Sequence, residues 1–583
     1  MGHWARIRID PDQPELIAVP LRQQLAEDHP VHLFDEVMGR YDWSAWEKEF
    51  VLVEGQPPIH PRFIAGPLVY GLTVGVRSTR GLEGACLTRL DFQLLSRGHQ
   101  PDHSTFGLFR TRFQGALEDL MRFICRMAVG MGLARLNRVG LDGTRVRANS
   151  SRRRTVTAAT LEERLAAVDK EIAELFARAE QEDLEEDTLF GKEVSPHRLD
   201  RELADVVRRQ EALERALANA RLQGSKKPAK KRASSGAKGK GASGDEGAKC
   251  PASGSGDCAP NLAENGVPEP PPALAAGEGA APAGESPSGE AGSASPKPKA
   301  PKVPVADPDS TIQPNKDGGF APNYTPMAAV DTLGGFILDA DVLPNSDEGQ
   351  ATVPTLDRIR DAHGQMPEEF LGDSKHGTGP NLEALAQRGV TAFIPLEQRN
   401  DTPDNPARRP DPTAPVAEAD WPRLPRNPAT GKLDRAAFVY DGGADCYWCP
   451  QGRRLPFWRE QKNKGTILTR AYRCETCAGC PLAGRCLAGR APQRTVSRDT
   501  YEPLREAMDA RLRTPEGRAK YERRRWACET PFAFIKTVMG VRQFLLRGIE
   551  KVRTEWRWVC TAYNLRKLVS GMARQRGCAG AQA

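Results

Sequence analysis

Three widely separated acids, Asp142, Asp373 and Glu529, are the residues from which joint chemistry can be built. Asp142 closes the apolar run Val139-Gly140-Leu141, which reads as a buried strand delivering its last residue to a sheet edge. Asp373 follows a second short strand over residues 368–372. If those strands are neighbours, both acids meet at one edge, and a third acid should come from a late helix crossing it. Glu529 is that candidate. Carboxylates converging in this way suit transfer or hydrolysis of a phosphodiester by two divalent ions roughly 3.5–4 Å apart, which clamp the attacking and leaving oxygens. Hard oxygen ligands point to Mg²⁺ as the cofactor, with Mn²⁺ able to replace it. Arg525, Glu529 and Lys536 fall at i, i+4 and i+11, on one helical face that Pro531 bends, so a cation flanks the acid on either side to hold phosphates. Asp331, Asp339, Asp341 and Asp347 compete for the second position; Asp331 precedes a tight turn, and the others alternate along or just beyond a strand, where exposure explains them.

A second chemistry is carried by sulfur. Of 13 cysteines, Cys446, Cys449, Cys474, Cys477, Cys480 and Cys486 crowd into one short stretch, with two CxxC units among them. Thiolates in such knuckles satisfy tetrahedral Zn²⁺, and an all-cysteine site leaves no open position for catalysis, so the zinc is expected to be structural. Four of the six suffice; Cys446/Cys449 with Cys474/Cys477 is the simplest set on spacing.

The elements that must position these groups form an α/β order. Strands over residues 139–142, 327–331 and 336–343, the last two joined by a Gly334-Gly335 turn, precede a helix over 353–363. A strand over 368–372, a helix around 382–388 and a strand over 391–396 follow. After the first strand, Leu161, Leu165, Val168, Ile172 and Leu175, then Leu199, Leu203, Val206, Leu213 and Leu217, mark an antiparallel helical hairpin. Residues 224–306 hold no aromatic, Ile or Met and are read as disordered. Residues 14–134 read as helical, with Asp102 or Ser104 capping one helix and Arg77, Arg80 and Arg110 as candidate DNA contacts.

The 583 residues allow three or four folded units at about 100–200 residues each. No apolar run nears the roughly 18–20 residues that cross a bilayer, and the N-terminus lacks a secretory pattern, so a cytoplasmic protein without membrane contact is expected. The net charge is 83 − 76 = +7, yet residues 501–583 alone hold 18 basic and 8 acidic residues, +10, the footprint of a surface facing a polyanion.

Leu141-Asp142-Gly143-Thr144, Asp373 after a strand, and Tyr521, Arg525, Glu529 and Lys536 together resemble the DDE transposases of bacterial insertion sequences, in the branch with a Tyr-Arg-Glu-Lys signature. Asn323-Tyr324, Ala329-Val330-Asp331, Ser78-Thr79-Arg80 and Pro101-Asp102-His103-Ser104-Thr105 extend the likeness over most of the chain outside 224–306. The resemblance implies an RNase H-like mixed sheet whose Asp142, Asp373 and Glu529 bind two Mg²⁺ ions. It also implies that Tyr521, an arginine and Lys536 contact transposon-end DNA. The chain departs from the family pattern twice. Arg524 has the usual spacing from Tyr521, whereas Arg525 has the usual spacing from Glu529, and Asp373 is followed by Ser-Lys-His-Gly rather than Gly-Tyr. Similar transposases place zinc cysteines in a pattern that maps onto Cys449, Cys477, Cys480 and Cys486.

The expected organisation is a helical DNA-binding domain at 1–134 and an RNase H-like core at 135–150 and 311–400. A helical-hairpin insertion at 151–223 and a disordered linker at 224–310 interrupt that core, a Cys-rich zinc insertion follows at 401–500, and the helices with Glu529 lie at 501–583. The expected protein cuts insertion-sequence ends and transfers the strand to target double-stranded DNA, acting as a homodimer on DNA at a bacterial nucleoid. A catalytically silent zinc-containing DNA-binding regulator, or a nuclease without strand transfer, would carry many of the same residues.

Overall fold

The protein is described by a computed structural model over residues 19–50, 58–190 (152 and 154 excepted), 199–225, 302–315, 318–396, 404–463, 467–489 and 491–580. Contacts divide the chain into one unit of residues 1–222 with 301–583 and a second of residues 223–300; the architecture below belongs to the first. The linker expected to be disordered lies outside the described residues from 226 to 301.

A mixed sheet holds the centre. Its five main strands run in the spatial order Ile337–Leu343, Phe320–Asp331, Arg138–Gly143, Glu369–Leu371, Thr391–Phe393. The Phe320–Asp331 strand is antiparallel to both of its neighbours, whereas Arg138–Gly143, Glu369–Leu371 and Thr391–Phe393 run parallel. The parallel steps need crossovers, and the helices Thr352–His363 and Gly379–Gln387 occupy those connections. Gly335, at φ +71°, makes the tight turn between the two long antiparallel strands, and Asp331 is buried there as an acceptor for the Gly334 N–H, 2.6 Å away. Thr311–Pro314 and Val146–Arg147 pair with the free end of the Phe320–Asp331 strand.

Helices Pro61–Thr73, Thr79–Thr88, His103–Arg112 and Gln114–Gly130 dominate the N-terminal region. Ser78 caps one through the Gly81 N–H, and Asp102 caps another through the Thr105 N–H at 2.7 Å. This region does not close a core of its own. Trp46, Phe109 and Phe113 pack with Trp558 of the long helix Ile549–Gly580, and that helix also buries Trp556 and Leu565 in the same core as Val330 and Ile337 of the sheet. The expected separate domain at 1–134 therefore shares its interior with the sheet.

The inserted hairpin consists of Ala158–Phe190 and Leu199–Ser225, closed along Leu161, Val168, Leu175, Val206, Leu213 and Leu217. At its base Thr155–Thr157 pairs with Lys302–Pro304. The end of the expected linker is thus ordered, a correction at residues 302–310. Asp307 is fully buried and accepts from the Tyr324 hydroxyl at 2.6 Å and the Gly548 N–H at 3.1 Å, which ties the segment to the sheet and the last helix.

The Cys-rich insertion is a five-stranded antiparallel sheet, Val439–Asp441, Cys446–Trp448, Arg454–Asn463, Ile467–Arg473 and Thr495–Asp499 in sequential order. Tyr447, Leu455, Tyr472 and Val496 form its core with the cysteines. After it, Thr514 caps the helix Pro515–Thr537 through the Gly517 N–H, and the helix runs on through Pro531.

Candidate metal and DNA site

Asp142 and Asp373 leave the sheet at neighbouring positions. Gly140 pairs in parallel register with Leu371, so the two acids, each two residues further on, emerge side by side at the same end of the sheet. Asp142 is largely buried. Burial pushes its carboxyl above the ordinary range; the Arg524 guanidinium and the Gly143 N–H oppose this, and the charges of Glu348 and Asp373 reinforce it. Arg524 Nη2 lies 3.2 Å from Asp142 Oδ1. Asp373 opens the short turn Ser374–His376, accepting the Lys375 N–H at 3.0 Å, with His376 Nε2 3.6 Å from its Oδ1.

Glu348 joins them and is absent from the sequence reading, which weighed its neighbour Asp347. The chain leaves the Ile337–Leu343 strand, exposes Asp347 and turns Glu348 inward, where it is 5% exposed. A Cβ built on Gly143 would stand 3.0 Å from Glu348 Cδ, which shows how closely the carboxylate approaches the Asp142 strand. Lys375 Nζ sits 2.5 Å from Glu348 Oε1 and 3.9 Å from Asp373 Oδ2. Ligand atoms of Glu348, Asp373 and His376 all lie within 4.8 Å of one another. His376 is fully buried, and burial brings its imidazole down to about 4 against the pull of Asp373. The only sequence signals for this pair were a charge at the mouth of a helix and a histidine three residues after Asp373.

The helix Pro515–Thr537 lies over the Asp142 strand and turns Ala527, Cys528, Pro531, Phe532 and Ile535 inward. Arg524 points to the acids with that face. Tyr521 is half-buried beside it; burial raises its hydroxyl, and the charges of Arg524, Asp373 and Asp142 all act on it. Glu529 lies on the open flank of the helix, 61% exposed, with Arg525 Nε 3.7 Å away and Arg525 itself 85% exposed. Lys536, on that flank, donates to Thr144 Oγ1 at 2.5 Å and to the Arg145 carbonyl at 3.0 Å, fastening it just beyond the end of the Asp142 strand. Of the competing acids, Asp339 and Asp341 pair with Arg358, and Asp341 also with Arg553.

Among the N-terminal arginines, Arg80 is exposed. Arg77 and Arg110 turn inward instead, which corrects their expected place on a DNA-facing surface. Arg77 donates to the carbonyls of Gly540 at 2.6 Å and Gln543 at 2.7 Å and faces Glu555, and the buried Arg110 donates to the Arg77 carbonyl.

In the insertion, the thiols of Cys449, Cys474, Cys477, Cys480 and Cys486 line one small cavity. Burial raises the Cys486 thiol to about 11, and among its neighbours Cys477, Cys449 and Cys480 act in the same direction. The N–H groups of Gln451 and Arg453 point at Cys449 Sγ, and that of Arg494 at Cys477 Sγ, the arrangement that stabilises thiolates. Cys446 is buried within its strand and does not line this cavity. Outside, Trp458 is exposed between the guanidinium groups of Arg459 and Arg473, each 4.1 Å from its ring centroid.

Residues 448–569 match the family described as the transposase DDE domain, and residues 19–112 match the transposase domain (DUF772). No curated protein and no solved structure matches the chain. Among the described residues no helix is long and apolar enough to cross a membrane.

Proposed function

We propose that the chain, which matches the transposase DDE domain over residues 448–569 and the transposase domain (DUF772) over residues 19–112, is an insertion-sequence DDE transposase that cleaves the ends of its element and joins the freed 3′ hydroxyls to target DNA. The observation that carries the reading is the parallel register that sets Asp142 beside Asp373, with a basic helix laid across them. The strand order, third, second, first, fourth, fifth with the second strand antiparallel, supports an RNase H-like core.

The donor set fits a divalent cation. Asp142, Asp373 and Glu348 crowd their carboxylates, and the buried His376 Nε2 has no hydrogen-bond partner. Asp142 and Asp373, with Glu529 from the helix flank, would hold two Mg²⁺ or Mn²⁺ ions that activate water and stabilise the leaving oxygen. The protein's own groups supply positioning. Arg524 holds the Asp142 carboxylate in place, Lys536 fixes the helix flank to the strand end, and the exposed Arg525 and Arg80 with the half-buried Tyr521 are left to meet the DNA backbone. Because the 3′ hydroxyl made by hydrolysis is itself the nucleophile of transfer, no covalent enzyme intermediate is needed.

Cys449, Cys477, Cys480 and Cys486 are proposed to hold a structural Zn²⁺ that braces the insertion, whose Trp458 and flanking arginines form a second DNA-contact surface. Two ends must be brought together, so a homodimer on the DNA is part of the proposal, as is a place at the nucleoid.

The test uses linear DNA carrying the sequences that border the reading frame, with Mg²⁺ or Mn²⁺ supplied. Wild type should nick and join, whereas Asp142→Asn and Glu529→Gln should bind the ends and lose cleavage by at least a hundredfold. Binding without cutting would identify a regulator, and cutting without joining a nuclease; either result overturns the transposase reading.

A further inference from the structure

His376 is anchored through Nδ1 by the Thr352 hydroxyl, which leaves Nε2 turned toward Asp373. The Thr352 hydroxyl donates to the Gly349 carbonyl at 3.1 Å. Its oxygen therefore stands as an acceptor 2.8 Å from His376 Nδ1, and Asn381 Nδ2 approaches the same oxygen at 3.2 Å. When that hydroxyl donates to Gly349, Nδ1 carries the proton and the neutral ring presents a bare lone pair on Nε2. That nitrogen is buried, lacks a hydrogen-bond partner and faces Asp373 Oδ1 at 3.6 Å. A lone pair aimed at a carboxylate is repulsive unless a cation stands between them. A ring fixed through its other nitrogen is how a metal-ligating imidazole is presented.

Glu348 supplies the third donor from a different element, and its carboxylate is also buried. The chain's own cation here is Lys375, whose ammonium touches Glu348 and approaches Asp373. Its side chain is 44% exposed, so it can swing into water when a doubly charged ion takes its place.

We propose that Glu348, Asp373 and His376 form a divalent-cation site in which an imidazole nitrogen replaces one oxygen ligand, so that the site selects Mn²⁺ over Mg²⁺. Imidazole suits the first-row metals, whereas Mg²⁺ prefers oxygen and its own waters. The site deepens the function proposed above, since Asp373 is common to both, but it predicts metal binding that needs no DNA.

The test titrates Mn²⁺ and Mg²⁺ separately into the full-length chain, following Mn²⁺ by loss of the free-ion paramagnetic resonance signal and Mg²⁺ by calorimetry. Wild type should bind Mn²⁺ at least tenfold more tightly than Mg²⁺. His376→Gln should erase that preference, chiefly by weakening Mn²⁺, and Glu348→Gln should weaken both ions at least tenfold. Lys375→Gln should strengthen both severalfold, a gain that misfolding cannot imitate. Mn²⁺ binding unchanged in Glu348→Gln and His376→Gln, or unimproved in Lys375→Gln, would overturn the site. If these shifts occur in a protein that never cuts DNA, the site stands and the transposase reading falls. If DNA is cut while Glu348→Gln binds Mn²⁺ like wild type, the site falls and the transposase reading stands.

Discussion

The sulfur of Cys528 fills the space beside Gly140 in which a side chain would begin: a Cβ built on Gly140 would lie 2.6 Å from it. That contact sets how the helix Pro515–Thr537 is rotated over the Asp142 strand. With Cys528 facing inward, Arg524, one turn earlier, reaches Asp142, while Glu529, about 100° further round, is left on the flank. Gly140→Ala should push the helix off the strand. The expected cost is about 1–3 kcal/mol of stability, read from denaturant unfolding, with loss of the Arg524–Asp142 contact and of cleavage. Gly140→Ala with Cys528→Ala should recover most of both, because the second change removes the clashing atom.

The same contact shows what a sequence can and cannot disclose here. The sheet was legible because its strands are short apolar runs that end in acids or in the Gly334-Gly335 turn, and the hairpin because its leucines and valines repeat with helical spacing. Arg524 and Arg525 were not separable, since only the fit of Cys528 on Gly140 decides which one faces inward. Glu348 was overlooked because its burial depends on Gly143 and Lys375, both distant in the chain and adjacent only once the sheet has formed. Arg77 failed for the same reason, its acceptors lying more than 460 positions away. The insertion's sheet was hidden by strands that alternate charged residues with few apolar ones, as in Arg459-Glu460-Gln461-Lys462.

The cysteine arrangement bears on which thiols hold the proposed zinc, since Cys474 lines the same cavity as Cys449, Cys477, Cys480 and Cys486. Cys446 does not line the thiol cavity, whereas Cys449, Cys477, Cys480 and Cys486 do. Purified wild type is expected to carry one zinc per chain by elemental analysis. Cys446→Ser should keep it, and Cys480→Ser should lose it along with the compactness of residues 404–499, seen as faster proteolysis there. Zinc retained in Cys480→Ser, with Cys474 left as the replacement ligand, would show that the fifth thiol serves the site.

Arg77 and Arg80 should behave oppositely although both are N-terminal arginines. Arg77 uses its donors on the Gly540 and Gln543 carbonyls and faces the buried Glu555. Arg77→Ala should therefore cost about 2–3 kcal/mol by stranding those groups, with DNA affinity affected only through folding. Arg80→Ala should leave the unfolding midpoint within a degree or two and weaken end binding. The slope of log affinity against log salt should fall by about one. An unchanged slope would remove Arg80 from the DNA surface.

Asp35 gives the N-terminal helices a defined acid limit. Its buried carboxylate receives Arg22 at 2.6 Å, Arg62 at 2.7 Å and Arg97 at 2.8 Å. Burial alone would raise its carboxyl, but the hydrogen bonds and charges of Arg97 and Arg62 outweigh it and hold the group below the ordinary 3.8. A depressed folded value means that the unfolded chain takes up the proton first. The stabilisation is therefore complete above the unfolded value and is lost as pH falls from there through the lower folded one. Asp35→Asn should cost about 2–3 kcal/mol at neutral pH. The difference between mutant and wild type should shrink as the pH is taken below about 4. Unfolding curves collected from pH 6 down to pH 2.5 would check this, and a gap that stayed constant over that range would mean that Asp35 stabilises through packing rather than through its charge.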